Sequence, residues 1–237
     1  MIYSFENLLK PIGGLETFEK KYRDKNKFII KGNKGKFADH FSFNQLDNYL
    51  NQVWDDKDEK NRAKALQVIF PNGSRWCRKK SKIQYTRENL KTFWDNGCTF
   101  VIPIMQQLNR VMWNQVDEFE KYWGVGQANI YTSKKKDAYC FPIHADSTDN
   151  FLFHVDGKIR WHIYKETKMD LGKAYPDESE VTLEDIVELD AGDLLYLPIG
   201  KFHKAEPLEA RISISYHFNK GKPNKYPYRR EWINWMP

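Results

Sequence analysis

The segment best equipped for chemistry is Phe141-Pro142-Ile143-His144-Ala145-Asp146. Side chains of an extended strand alternate between its two faces, so His144 and Asp146, two residues apart, point the same way. A second imidazole follows at His203, closing the run Gly192-Asp193-Leu194-Leu195-Tyr196-Leu197-Pro198-Ile199-Gly200-Lys201-Phe202-His203. Two histidines and one carboxylate on one face of a metal form the facial ligand set of non-haem Fe(II) centres. Three protein ligands leave three positions of an octahedron open, two for a chelating 2-oxo acid and one for dioxygen. A closed zinc site wants four ligands, and Cys77, Cys98 and Cys140 include no C-x-x-C pair to complete one. The plainer reading stands beside this one: H-x-D is a short pattern, and either histidine is equally a hydrogen-bonded core residue.

The elements that must hold these residues fall into two stretches. Up to Gly124 the pattern is mixed. Ser4 caps a short helix, Gly14 to Tyr22 has helical spacing, and Phe28 to Ile30 reads as a strand. Ser42 caps a helix carrying Leu46, Tyr49, Leu50 and Val53 on one face. Leu66 to Phe70 is a strand ending in the turn Pro71-Asn72-Gly73. Thr86 opens a helix that stops at Asn96-Gly97, and Thr99 to Ile102 is a buried strand. The longest helix is expected over Gln106 to Trp123, with Leu108, Val111, Met112, Val116, Phe119 and Trp123 as its apolar stripe. Beyond Gly124 short strands follow one another. Asn150 to Val155 and Lys158 to Tyr164 flank Asp156-Gly157, a strong hairpin signal. Leu194 to Leu197 and the strictly alternating Ala210 to Phe218 continue the series. Short strands at this spacing predict a sandwich or barrel.

Composition sets the outer bounds. The chain has 237 residues, 41% hydrophobic and 30% charged, enough to bury a core and unlike a disordered chain. Its apolar runs are far shorter than the roughly 20 residues of a membrane span. Met1 to Lys10 lacks the basic and apolar regions of a secretory signal. A soluble cytoplasmic protein is the expectation. The net charge of +6 is unevenly spread: eight bases and one acid between Lys20 and Lys36, seven and one between Arg75 and Lys91, but eight acids and no base from Asp177 to Asp193. Such basic faces either attract an anionic partner or serve as solvated surface.

From about Leu66 to Phe218 the chain resembles the JmjC-like cupins of the ribosomal-oxygenase type, a branch of the Fe(II)/2-oxoglutarate oxygenases. The matching residues are Gln127-Ala128-Asn129-Ile130-Tyr131-Thr132, His144-x-Asp146, Asn150 to Trp161, Gly192 to His203 and Arg211 to Phe218. The resemblance implies a mainly β fold with flanking helices: a double-stranded β-helix (cupin or jelly roll) with an α/β N-terminal part. One domain is expected over residues 1–237, with an elaboration at 1–124, a barrel core over about 125–218 and a tail at 219–237. It implies iron on His144, Asp146 and His203, 2-oxoglutarate as co-substrate, and hydroxylation of a C–H bond. It also places Asn129 and Tyr131 beside cofactor and substrate.

One position departs from the family pattern. The cation expected two residues after the hairpin glycine is replaced by Ile159, and alternation turns its basic neighbours Lys158 and Arg160 to the opposite face. Arg211, followed by Ser213, offers an alternative clamp for the distal carboxylate, because a guanidinium meets a carboxylate with two parallel hydrogen bonds. The competing reading makes Arg211, Ser213, Ser215 and His217 the polar face of an ordinary surface strand. His154 and His162 read as structural. The substrate stays open between a protein, RNA and a small molecule, as does homo-oligomerisation. A metal-binding cupin without oxygenase activity is the alternative, and Ile159 favours it.

Overall fold

The computed structural model describes residues 2–55, 66–77, 81–83, 85–107 and 109–218. Leu108, the side chain of Val53 and the tail with Trp232 and Trp235 lie outside the described residues.

The capping residues act as the sequence suggests. Ser4 Oγ accepts the Asn7 N–H at the start of α1 (Phe5–Leu9). A short helix α2 (Gly14–Thr17) follows and continues into a wider turn over Phe18–Tyr22. Strand β1 is Phe28–Ile30. Ser42 Oγ accepts from Gln45 N–H beneath α3 (Phe43–Asp55). Strands β2 (Gln67–Ile69) and β3 (Arg75–Cys77) form a hairpin, and Thr86 and Asn89 cap α4 (Arg87–Asp95) reciprocally. Strand β4 is Thr99–Ile102.

The helix expected over 106–123 is shorter. It is α5 (Arg110–Glu120), preceded by a 3₁₀ turn at Met105–Gln107. The cause lies in two side chains that compete with a helical backbone. Asn109 Oδ1 caps Met112 N–H, and Gln106 Oε1 accepts the Ala128 N–H of the neighbouring strand.

The remaining strands are β5 (Gly126–Ser133), β6 (His144–Ala145), β7 (Asp149–Asp156), β8 (Lys158–Thr167), β9 (Leu183–Asp190), β10 (Leu194–Leu197), β11 (Lys201–Pro207) and β12 (Arg211–Phe218); α6 (Lys168–Leu171) follows β8. They build two antiparallel sheets, ordered β1-β10-β7-β12-β5-β4-β2-β3 and β6-β11-β8-β9. The chain crosses between sheets at Asp156-Gly157. Gly157 has φ +74°, and a Cβ there would lie 1.8 Å from the Ala210 carbonyl oxygen.

Alternation sorts the strands' side chains into two layers. Phe151, Phe153, Leu194, Tyr196, Ile212, Ile214 and Tyr216 pack outward against the N-terminal helices, with Phe5, Phe18 and Phe119 interleaved edge to face. Leu152, Leu195 and Leu197 face inward onto Ile159, Trp161, Ile163, Val187 and Leu189 of the smaller sheet. The fold is the expected double-stranded β-helix with flanking helices.

The charge runs meet each other. Lys27 pairs with Glu184 and Asp185, and Lys31 with the buried Asp193 at 2.6 Å, so the basic stretch around β1 is stitched to the acidic stretch around β9. Lys173, Lys201 and Lys204 take Glu180, Glu184 and Glu178.

Candidate metal centre and co-substrate pocket

The site begins at the shortest strand. β6 pairs with β11 so that His144 lies directly opposite His203, and directly opposed residues share a face. Their ring centroids are 4.4 Å apart. Asp146 follows immediately, its carbonyl accepting the Gly200 N–H at 2.9 Å. One ligand atom from each of His144, Asp146 and His203 lies within 4.8 Å of the others. The closest pairs are His203 Nε2 to Asp146 Oδ2 at 3.6 Å and His144 Nε2 to Asp146 Oδ1 at 4.0 Å.

Both imidazoles are held in the tautomer a metal needs. His144 Nδ1 donates to the Pro142 carbonyl at 2.8 Å, and His203 Nδ1 to the Lys201 carbonyl at 2.9 Å. A carbonyl only accepts, so each Nδ1 carries its proton and each Nε2 presents a lone pair to the space beside Asp146. Burial, with His144 adding like charge, lowers the His203 pKa to about 4 and keeps that ring neutral. Asp146 is fixed by Asn150, whose amide donates to Oδ2 at 2.8 Å and whose carbonyl accepts from Ser215 Oγ at 2.9 Å. Sequence reasoning missed the role of Asn150. Its signal was the position itself, four residues after Asp146 on the inner face of β7.

The cavity beside these residues has two unlike walls. Leu152, Trp161 and Ala205 make an apolar side, while Thr99, Tyr131, Arg211, Ser213 and Ser215 make a polar one. Arg211 is 2% exposed, and among the described residues no carboxylate pairs with it. Its Nη1 donates to the Tyr131 carbonyl at 3.4 Å and to Ser213 Oγ at 3.3 Å, and its Nη2 to Cys140 Sγ at 3.2 Å. Among the described residues its Nε has no partner, nor have Thr99 Oγ1 and Trp161 Nε1 on the same cavity. Orphaned buried donors beside an unneutralised cation are costly unless an anionic, oxygen-rich group completes them.

The other sequence candidates separate cleanly. Lys158 pairs with Glu188 and Asp190, and Arg160 with Glu188 and Glu206, on the outer face of β8. Ile159 is fully buried in the inter-sheet core. Tyr131 lines the cavity; desolvation, with the Asp146 charge adding to it, pushes its phenol well above the ordinary value and keeps it protonated. Asn129 is not among the residues lining the cavity. Its Oδ1 accepts the Ile104 N–H at 3.0 Å and so holds a β-branched residue at φ +61°, a strained conformation. Ser213 serves as a bridge: its hydroxyl accepts from Arg211 and donates to His154 Nδ1 at 3.0 Å, while His154 Nε2 donates to the Gly157 carbonyl at 2.9 Å. Burial, with Arg211 adding to it, lowers the His154 pKa to about 4, so it acts as a neutral strut. His162 pairs with Glu206 at 2.9 Å on the outer face. No helix among the described residues is long and apolar enough to cross a membrane.

Comparison with known proteins shows the family and the fold. The JmjC domain family matches residues 103–226. The chain is 34% identical over 122 residues to the bifunctional lysine-specific demethylase and histidyl-hydroxylase NO66 of Dictyostelium discoideum, covering 47% of this chain and 23% of that protein. It is 26% identical to ribosomal oxygenase 2 of Rattus norvegicus over 212 residues, covering 85% of this chain and 43% of that one. The chain thus spans less than half the length of these curated relatives. Among solved structures, YcfD, a ribosomal oxygenase from Escherichia coli in complex with cobalt and 2-oxoglutarate, superposes with a TM-score of 0.63 at 17% identity, covering 89% of this chain and 52% of that one.

Proposed function

The chain belongs to the JmjC domain family, and from that premise we propose that it is an Fe(II)- and 2-oxoglutarate-dependent oxygenase that hydroxylates a C–H bond. The observation that carries this reading is the pairing of two incomplete centres on one cavity. Two Nε2 lone pairs and a carboxylate converge at one end, and a buried, uncompensated guanidinium lines the same space. The donor set fits iron. The orphaned Arg211 Nε, Thr99 Oγ1 and Trp161 Nε1 fit an oxygen-rich co-substrate. Iron held there supplies activation of dioxygen at the expense of the 2-oxo acid.

The chain's own residues do the positioning. His144, Asp146 and His203 hold the metal on one face and leave the cavity side open to ligands. Asn150 and Ser215 fix the rotation of the Asp146 carboxylate, so its ligand oxygen is set before metal arrives. Arg211 binds the distal carboxylate, aligned through Ser213 and His154. Leu152, Trp161 and Ala205 keep that side of the cavity dry, which strengthens every charge interaction within it. Tyr131 stays protonated and offers a hydroxyl donor. The relatives' names favour a protein substrate within the cell, and the pairing of Lys27 and Lys31 with acidic residues lessens the case for an anionic partner there.

The test is anaerobic visible absorption on adding Fe(II) and then 2-oxoglutarate, with His144→Ala alongside. A charge-transfer band that needs both additions and vanishes in the variant is the expected result. Bound iron without a band would favour the metal-binding cupin without oxygenase activity, the reading that buried Ile159 supports.

A further inference from the structure

Cys140 occupies a singular place. It lines the inner cavity together with Arg211 and Thr99, and it also lines two outer clefts that it shares with Tyr139, Phe141 and Pro142. It therefore forms part of the partition between the co-substrate pocket and the outside. Its Sγ accepts the Arg211 Nη2 hydrogen bond at 3.2 Å and lies 3.8 Å from the Ala138 carbonyl oxygen. A neutral sulfur is a weak acceptor, so the guanidinium beside it is poorly satisfied, with its Nε free and the Thr99 hydroxyl free on the same cavity. Resting on the oxygenase reading above, we propose that Cys140 is an oxidative modification site whose sulfinate takes the place of the co-substrate's distal carboxylate on Arg211.

The chemistry balances with a hydroperoxide as oxidant. The Cys140 sulfur attacks one oxygen of hydrogen peroxide; the O–O bond breaks, sulfur loses two electrons, and sulfenic acid and water form. A second peroxide repeats the step, giving sulfinic acid and a second water, and the acid's proton goes to solvent. The product is an anion with two acceptor oxygens on a sulfur already within contact of Arg211. A charge-assisted pair then replaces a thiol contact. Sulfinate and the co-substrate's distal carboxylate then compete for the same guanidinium, and the competition is reciprocal.

The experiment uses the full chain. Metal-free protein is treated with hydrogen peroxide, desalted, loaded with Zn(II) and titrated calorimetrically with 2-oxoglutarate; peptide masses report oxidation of Cys140, with Cys77 and Cys98 as references. The expected result is a gain of about 32 Da on the Cys140 peptide, two oxygens. With it goes at least about a tenfold loss of affinity relative to the untreated sample. In Cys140→Ala the treated and untreated affinities should agree. A second arm adds 2-oxoglutarate to the Zn(II)-loaded chain during peroxide treatment, and oxidation of Cys140 but not Cys77 should slow. Oxidation of Cys140 with unchanged affinity, an equal loss in Cys140→Ala, or a Cys140 that stays reduced while Cys77 oxidises would each overturn the proposal. If untreated wild-type protein does not bind 2-oxoglutarate, the oxygenase reading fails first and takes this one with it.

Discussion

Replacing Arg211 by methionine removes the charge and the fork while keeping a long side chain. Two measurable effects of opposite sign should follow. On binding, the lost partner is a buried cation facing a carboxylate, and truncating one member of such a pair costs about 2–5 kcal/mol. That corresponds to an affinity for 2-oxoglutarate about 30-fold to several thousandfold weaker. On stability, the metal-free Arg211→Met protein should gain, read as a higher melting temperature than wild type. The three contacts Arg211 makes are long or to sulfur, and its Nε makes none, so they offset little of the desolvation of a guanidinium that is 2% exposed. Arg211→Lys, which keeps the charge but not the two-pronged geometry, should fall between wild type and Arg211→Met in affinity. The assay is calorimetric titration of 2-oxoglutarate into Zn(II)-loaded protein, paired with thermal unfolding of the metal-free form. Wild-type affinity in Arg211→Met would refute the clamp. So would a loss of binding on replacing Lys158 or Arg160, whose ion pairs put them on the other face of β8.

Three further outcomes follow from the same geometry. Asn150→Ala frees the Asp146 carboxylate to rotate and should weaken metal binding about 10- to 100-fold, read by competition with a chelating dye. Gly157→Ala drives a methyl into the Ala210 carbonyl at a positive φ and also displaces the carbonyl that holds His154. It should cost at least about 1–3 kcal/mol in urea unfolding. His154 has a native pKa of about 4 against 6.5 unfolded, so below pH 6.5 the unfolded chain takes up the proton first. Stability present above pH 6.5 is therefore lost as pH falls toward 4, by up to about 1.4 kcal/mol per pH unit from this group. His154→Gln should lose less stability than wild type between pH 7 and pH 5, and an identical slope would contradict the neutral strut.

What was legible in the sequence is what alternation and capping determine locally. His144 and Asp146 had to share a face, Asp156-Gly157 had to turn, and Ser4, Ser42 and Thr86 had to cap, because each outcome is decided within a few residues. The start of α5 was not legible, since it depends on Gln106 meeting Ala128 on a strand not yet formed when the pattern is read. The charge runs were visible, but their mutual neutralisation needs the edges of two different sheets, β1 and β9, brought together, with Lys27 and Glu184 separated by 157 residues.

The proposed clamp shows the same limit most sharply. Alternation places Ile159, Trp161 and Ile163 on the inner face of β8, and these residues form the apolar wall with Val187 and Leu189. A cation at position 159 would have to be buried in that wall. The inner faces of the opposite sheet already carry hydrogen-bonding groups: Tyr131 on β5, Asn150 and His154 on β7, and Ser213 and Ser215 on β12. The guanidinium at position 211 finds a carbonyl and a hydroxyl within reach there, whereas Ile159 packs among Trp161, Ile163, Val187 and Leu189. The sheet that can solvate the charge therefore carries it, and a chain with Ile159 keeps a cation on the cavity only by placing it across the barrel.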